Sequence, residues 1–250
     1  MKVVLITLFF LGSQVHSQLS VKTVQKSELC NILSKALEGE YSNSLNKIIW
    51  KPYEKESVAI SKDGYAYTSV DSVISFSTIN GDYSLAVLRT NVLYDGIEEQ
   101  CASCSPTLGM ALFKMTEGKT ILTSLNRSIR NTGQAGMLPN YSLIDLSPEI
   151  KGIYFTEVAF QDMDAYSFVY LINESNVSDM VLEFPNFRML DYEKSSFQTT
   201  EMNVINTTDK DKPHYLLQLD ISTFESDLTS ETKKVEFTFN GRKYEPSMGL

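Results

Sequence analysis

The sequence predicts a mainly β fold, an antiparallel meander or sandwich-like arrangement of sheets with one short N-terminal helix. Three observations predict it. Many short segments are rich in apolar and β-branched residues, turn-forming residues separate several of them, and a single stretch has helical spacing. Short strands that follow one another along the chain favour a meander, sandwich or barrel over βαβ units.

The helical stretch covers residues 27–38. Its apolar residues recur at a spacing of three to four positions: Leu29, Ile32, Leu33, Ala36 and Leu37. Ser27 is suited to cap the start of this helix, and Gly39 is suited to end it. Cys30 lies beside the apolar stripe, so we expect its thiol to be half buried.

Strand patterns follow, separated by turns such as Asn80-Gly81-Asp82 and Asp95-Gly96. The predicted strands are Ser57–Ile60, Val73–Ile79, Tyr83–Tyr94, Leu108–Met115, Thr120–Leu125, Gly152–Phe160, Ala165–Ile172, Met180–Phe184, His214–Ile221 and Val235–Phe239. Both faces of Tyr83–Tyr94 are apolar, which predicts a central strand covered on both sides. The polar residues 194–200, 206–212 and 222–233 predict loops.

The last hairpin has the clearest turn signal. Asn240-Gly241 is typical of a type I′ turn, in which both central residues have positive φ. Such a turn places Phe239 opposite Arg242 and Phe237 opposite Tyr244, and we expect the face that carries Phe237 and Tyr244 to be buried.

Residues 1–17 predict a cleaved signal peptide. They carry one positive charge at Lys2, an apolar run from Val3 to Leu11 and small residues before a cut ahead of Gln18. That run is shorter than the ~20 residues that span a bilayer, and no later run is longer, so we expect no transmembrane segment in the mature chain. The expected product is a secreted or periplasmic protein, residues 18–250, with a single mostly-β domain.

Charge and histidine content exclude several classes of function. The net charge of −9 and the lack of a basic stripe argue against nucleic-acid binding. Cleavage removes His16 and leaves His214 as the only histidine, so a zinc site with several histidines is excluded. No Gly-rich phosphate loop occurs. We expect no cofactor, and the sequence does not indicate a partner.

Cys101-Ala102-Ser103-Cys104 admits three interpretations. In an oxidising compartment the pair forms a disulfide that fixes a loop between two strands. The second interpretation is a redox-active pair, although the flanking sequence predicts strands and not the start of a helix. The third is a metal site, for which Cys30, Cys101, Cys104 and His214 form a complete zinc ligand set by residue type.

The cysteine pair opens a longer pattern, Cys101-x-x-Cys104-x-Pro106-x-Leu108-Gly109-x-Ala111-x-Phe113, followed by Gly118-Lys119. In this pattern the segment from Asn91 to Thr120 resembles a group of uncharacterised bacterial secreted proteins, and the match extends to turn positions: Gly133, Gly136, Pro139 and Gly152. The resemblance implies a bacterial exported origin and no particular activity. A histidine often follows the first cysteine in that group, so Ala102 here argues against a metal role.

These observations predict a binding or structural module with a disulfide-fixed loop. The first alternative function is that of a secreted hydrolase that uses two carboxylates distant in the sequence, as glycosidases do. The second alternative is a thiol oxidoreductase or a metal-binding protein. Five Asn-x-Ser/Thr sequences would accept glycans in a eukaryotic host, at Asn126, Asn140, Asn173, Asn176 and Asn206.

Overall fold

The computed structural model describes residues 25–101, 103–159, 164–191, 196–206, 214–225 and 230–247. Within these residues the chain forms one helix and sixteen strands, numbered in chain order. They are α1 (Lys26–Ala36), β1 (Glu40–Ser42), β2 (Lys47–Trp50), β3 (Ala66–Thr78), β4 (Gly81–Asn91), β5 (Leu93–Tyr94), β6 (Ile97–Glu98), β7 (Thr107–Thr116), β8 (Lys119–Asn131), β9 (Asn140–Asp145), β10 (Lys151–Thr156), β11 (Ala165–Ile172), β12 (Asp179–Asp191), β13 (Ser196–Ile205), β14 (Leu216–Phe224), β15 (Ser230–Phe239) and β16 (Tyr244–Pro246). The expected signal peptide, residues 1–17, lies outside the described residues.

The predicted mainly β class with antiparallel sheets is confirmed. A first sheet of six strands has the order β1-β2-β3-β4-β7-β8, and a second sheet of eight strands has the order β16-β15-β14-β13-β12-β11-β10-β9. β5 and β6 form a separate hairpin between β4 and β7. Apart from that insertion, strands adjacent in the chain are adjacent in the sheet, which is the order of a meander.

The predicted helix packs on one face of the first sheet. Leu29 and Leu33 are fully buried there, next to Trp50 of β2. Cys30 is only 2% exposed, so it is more deeply buried than its place beside the stripe indicated. The helical spacing therefore identified the buried face correctly, and this face belongs to the first of three core clusters in the described part of the chain.

The ends of the helix differ slightly from the sequence pattern. Helix α1 follows Gln25, whose side chain makes no capping hydrogen bond, so Ser27 lies inside the first turn instead of capping it. Gly39 comes after the last turn, where its amide donates to the carbonyl of Ser34 at 2.8 Å. A Cβ on Gly39 would lie 2.4 Å from the carbonyl oxygen of Ile49, so close packing on β2 requires glycine here.

Strand β4 is the buried central strand that its sequence predicted. It lies between β3 and β7, with Ala86 in the core under the helix and Leu85 in a second core between the two sheets. Phe155 of β10 and Phe168 of β11 fill that second core, with ring centroids 5.2 Å apart. The two sheets therefore pack face to face through aromatic side chains.

The second sheet curls so that strands distant in its order meet. The amide of Tyr215, before β14, donates to the carbonyl of Leu146, after β9, at 2.8 Å, although four strands separate β9 from β14. The hydroxyl of Tyr244 donates to the carbonyl of Tyr215 at 3.1 Å. Leu146, Leu217 and Tyr244 belong to a third core cluster, which this curl encloses.

Several segments differ from their predicted structure; the strand predicted over Gly152–Phe160, for example, ends at Thr156. Residues 57–60 form no strand, because side-chain hydroxyls take their backbone groups: the amide of Ala59 donates to Thr107 Oγ1 at 2.8 Å, and Ser128 Oγ donates to the carbonyl of Ser57 at 2.9 Å. Two segments predicted as loops contribute to strands, since β13 begins at Ser196 and both β14 and β15 extend into residues 222–233. Of the predicted loop 206–212, only residue 206 is described.

The predicted type I′ turn at Asn240-Gly241 is wrong. Asn240 Oδ1 accepts hydrogen bonds from the amides of residues 242 and 243, at 2.9 and 3.0 Å, and in this turn only Gly241 has a positive φ. The longer loop places Tyr244 opposite Phe239 instead of Phe237. The face was predicted correctly, because Tyr244 is 4% exposed in the third core cluster.

Candidate functional site

Cys101 and Cys104 form a disulfide, as predicted, in the loop between β6 and β7. Their Cα atoms are 5.0 Å apart, and the amide of Cys104 donates to the carbonyl of Cys101 at 2.9 Å, so the ring encloses a tight turn. The elements on either side of the pair are strands, so neither cysteine lies at the start of a helix that would lower a thiol pKa. In the disulfide neither sulfur is a thiolate, which a metal site or a nucleophile requires.

The disulfide loop is joined to the connection between β8 and β9, residues 132–139. Three hydrogen bonds join them: the amide of Gly136 to the carbonyl of Cys104 at 2.9 Å, Ser105 Oγ to the carbonyl of Gly133 at 2.8 Å, and the amide of Thr132 to the carbonyl of Pro106 at 3.1 Å. The disulfide loop and this connection therefore form one continuous wall.

A crevice of about 700 Å³ lies along this wall. Its other side is formed by the chain that leaves β10 and the chain that enters β11. The described lining residues are Ser103, Ser105, Asn131, Thr132, Gly133, Gln134, Met137, Leu138, Pro139, Asn140, Glu157, Val158, Asp164 and Ala165. This volume falls within the range of roughly 300–1,000 Å³ that is typical of small-molecule sites.

A tight turn shapes the wall of the crevice. The amide of Gln134 donates to the carbonyl of Met137 at 3.1 Å, and the amide of Met137 donates back to the carbonyl of Gln134 at 2.8 Å. Gly133 precedes this turn with φ +87°, and a Cβ there would lie 2.0 Å from the carbonyl oxygen of Met137. The turn leaves the side chain of Met137 56% exposed, and Val158 on the other side is 61% exposed, so the crevice has an apolar mouth.

Glu157 is the half-buried carboxylate of the crevice. Thr132 Oγ1 donates to its Oε1 at 2.5 Å, and the amide of Tyr166 donates to its Oε2 at 3.3 Å. Thr132 is only 2% exposed, so the first of these hydrogen bonds is made in the protein interior. Both oxygens thus have neutral donors, which fix the carboxylate at the crevice wall.

The second carboxylate of the crevice, Asp164, has a basic partner. Its Oδ2 lies 3.6 Å from Arg188 Nε, and both side chains are exposed. The described lining residues include no lysine, arginine or histidine. The charge that the lining itself supplies is therefore negative.

A partly buried cluster of charges contacts the 132–139 connection, where Arg89 Nη1 lies 3.1 Å from Met137 Sδ. We call Lys47, Asp71, Arg89 and Glu98 the ionic cluster. Lys47 pairs with Glu98, Arg89 Nη2 lies 3.6 Å from Glu98 Oε2, and Arg89 Nε lies 3.3 Å from Asp71 Oδ1. Arg89 Nη1 also donates to the carbonyl of Gly136 at 2.8 Å, which links the cluster to the crevice wall.

The ionic cluster changes the pKa values of its members and neighbours. Burial alone would raise the pKa of Glu98, but the hydrogen bond from Lys47 and the charges of Lys47 and Arg89 outweigh it and hold that pKa below its ordinary value. Tyr141 donates its hydroxyl to Asp71 Oδ2 at 2.6 Å. Burial and this hydrogen bond raise the pKa of Tyr141.

The four residues considered as a zinc set do not come together among the described residues. The one group of possible ligands there is Glu99, Cys101 and Cys104, and both of its sulfurs are in the disulfide. Cys30 is buried under the first sheet, where burial raises the pKa of its thiol. The ring centroids of His214 and Phe239 are 4.3 Å apart, and burial lowers the pKa of His214.

The asparagines of the five glycosylation sequences have different surroundings. Asn126 is half buried and its Nδ2 donates to Ser178 Oγ at 2.7 Å, whereas Asn140, Asn176 and Asn206 are exposed. Asn173 is half buried, and its Oδ1 accepts hydrogen bonds from residues 175 and 176. Glycosylation at these sites stays a prediction.

Neither Glu157 nor the ionic cluster was predicted from the sequence. One signal was available for the cluster, because Lys47 adjoins the apolar Ile48-Ile49-Trp50 and Arg89 interrupts the apolar β4. A charged residue in a buried strand indicates a buried partner. No comparable signal marks Glu157, because its partner Thr132 lies 25 residues away in the sequence, in the connection between β8 and β9.

No protein-family model, curated protein or solved structure matches the chain. Within the described ranges, no helix is long and apolar enough to cross a membrane.

Proposed function

We propose that this chain is an exported small-molecule binding protein, and that the crevice beside the disulfide loop is its ligand site. The observation that carries the proposal is the crevice itself, about 700 Å³ with an apolar mouth and polar groups inside. Few convergent polar groups in a largely preformed concave surface are typical of ligand sites. Export is supported by the signal-like residues 1–17 and by the disulfide.

In this proposal the disulfide has a structural role. Cys101 and Cys104 hold a loop whose carbonyls and hydroxyls bond to the opposite strand connection, and no helix begins at Cys101 to lower a thiol pKa. The arrangement favours a fixed wall over a thiol oxidoreductase.

A fragment screen by two-dimensional NMR tests the proposal. We expect hits to shift the amide resonances of Thr132, Gly133 and Ala165. Val158→Trp should abolish these ligand-induced shifts, because the larger side chain fills the mouth of the crevice. Ile79→Trp is the matched control, since Ile79 is 73% exposed and lies at the opposite end of the first sheet. Hits that shift only residues outside the crevice, or that survive Val158→Trp, would contradict the proposal.

The carboxylate hydrolase is the second candidate, because the crevice contains both Glu157 and Asp164. Such an enzyme needs one carboxyl to give up or receive a proton. Here both oxygens of Glu157 accept hydrogen bonds and Asp164 has an arginine partner, which favours fixed carboxylates. Turnover on a panel of glycoside substrates that disappears in Glu157→Gln would establish the hydrolase instead.

A further inference from the structure

Glu157 differs from the other half-buried glutamates of the described chain in its counter-charge. Glu56 Oε1 lies 2.7 Å from Arg127 Nε, and Glu98 meets both Lys47 and Arg89. Glu157 has two neutral donors and, among the residues that the structure describes, no basic partner. A carboxylate that is partly removed from water without a cation loses solvation that no ion pair replaces.

The rest of the crevice suits a ligand that supplies this missing charge. Met137 and Val158 offer exposed apolar surface at the mouth, and the described lining contains no basic residue that would compete for Glu157. Arg89 contacts Met137 Sδ at 3.1 Å, but its charge is paired with Asp71 and Glu98. The overall net charge of −9 also attracts cations and repels anions at long range.

We infer that the crevice binds a small organic cation with an apolar portion, and that Glu157 is its counter-charge. The cation replaces the basic partner that the other half-buried glutamates have, and the apolar portion covers Met137 and Val158. Neutral ligands of the same shape lose the charge interaction, and anionic ligands meet like charge. The inference rests on the proposed function, because it needs the crevice to be a ligand site.

Three aromatic probes of similar size and different charge test the inference: benzylamine as the cation, benzyl alcohol as the neutral probe and benzoate as the anion. Each is titrated at millimolar concentration while the amide resonances of the crevice are followed by NMR. We expect benzylamine to bind about tenfold more tightly than benzyl alcohol and benzoate to produce no saturable shift. Added salt should weaken the binding of benzylamine and leave the binding of benzyl alcohol unchanged.

Two isosteric variants locate the charge effect. Glu157→Gln should lower the affinity for benzylamine about tenfold and leave that for benzyl alcohol unchanged. Glu183→Gln removes the same charge from a glutamate that pairs with Arg130 at 2.8 Å outside the crevice, and it should retain the preference for the cation.

The outcomes separate this inference from the proposed function. Equal binding of benzyl alcohol and benzylamine in the crevice, binding of benzoate, or a preference that persists in Glu157→Gln would overturn the cation inference and leave the crevice as a ligand site. If none of the three probes shifts crevice resonances, the inference fails outright; if the fragment screen also finds no crevice hit, the proposed function fails with it.

Discussion

Glu98→Gln is the most informative perturbation of the scaffold behind the crevice. Glu98 accepts from Lys47 and from Asn91 Nδ2, the latter at 2.9 Å, and it also faces Arg89. Glutamine keeps the size of the side chain but removes its charge, and it replaces one acceptor oxygen with an NH₂ group that faces these donors. The variant therefore removes an ion pair and introduces a contact between donors.

The burial of the pair sets the expected magnitude. The side chain of Lys47 is 9% exposed and that of Glu98 is 20% exposed. Loss of one partner from a buried ion pair costs about 3–5 kcal/mol, and the partial exposure of Glu98 places the expected loss near the lower figure, about 3 kcal/mol. Glu174→Gln is the matched control, because Glu174 and Lys114 are 46% and 29% exposed, and an exposed pair contributes about 0–1 kcal/mol.

Urea denaturation measures both variants, with the free energy of unfolding taken from the midpoint and the slope. Lys47→Met and the double variant complete a mutant cycle, in which we expect a coupling energy above about 1 kcal/mol. A loss for Glu98→Gln no larger than that for Glu174→Gln, or additive single effects, would refute the cooperative ionic cluster.

The pH dependence gives a second test of the same residue. Because the pKa of Glu98 is lower in the folded state than its ordinary value of 4.5, Glu98 stabilises the folded state above that pH, and this stabilisation is lost as pH falls through the folded pKa. The difference in unfolding free energy between wild type and Glu98→Gln should be full at neutral pH and shrink in acid. A difference that stays constant down to about pH 3 would contradict the assigned pKa shift.

Three further predictions concern the disulfide, a glycine and the buried thiol. Replacing Cys101 and Cys104 together by alanine should lower the free energy of unfolding by about 2 kcal/mol, measured in urea, and no change would show that the short ring does not restrict the unfolded chain. Gly133→Ala should cost at least about 2 kcal/mol more than Gly118→Ala, because both have positive φ but only Gly133 would crowd backbone; equal midpoints would contradict this. Cys30 should react with iodoacetamide, followed by mass spectrometry, only after unfolding, and fast labelling of native protein would disprove its burial.

The features predicted correctly from the sequence are those that depend on nearby residues. The spacing of Leu29 and Leu33 identifies the buried face of the helix, and the apolar character of both faces identifies β4 as a central strand. The disulfide follows from the short spacing of Cys101 and Cys104 together with an expected oxidising compartment. Each of these depends on a few consecutive residues, so the sequence contains the needed information.

The features that were missed depend on pairing between distant segments. In β13, Met202 and Val204 contact the third core cluster, while the alternate Glu201 and Asn203 pair with polar residues of β14 on the opposite face. This alternation is typical of a strand with one solvated face, but the polar residues at its start favoured a loop. Glu157 is a stronger case, because its hydrogen-bond donor Thr132 lies 25 residues away, in the connection between β8 and β9.

Gly136 explains how the disulfide loop, the ionic cluster and the crevice form one unit. Its amide donates to the carbonyl of Cys104, and its carbonyl accepts from Arg89 Nη1 and, at 3.0 Å, from Asn91 Nδ2. The same connection carries Thr132, which donates to the carboxylate of Glu157. The disulfide therefore affects the proposed ligand site by fixing the backbone of the crevice wall, and not through a reaction of its sulfur atoms. Reduction of the disulfide should make the wall of the crevice less rigid. The preference for a cation should still depend on Glu157.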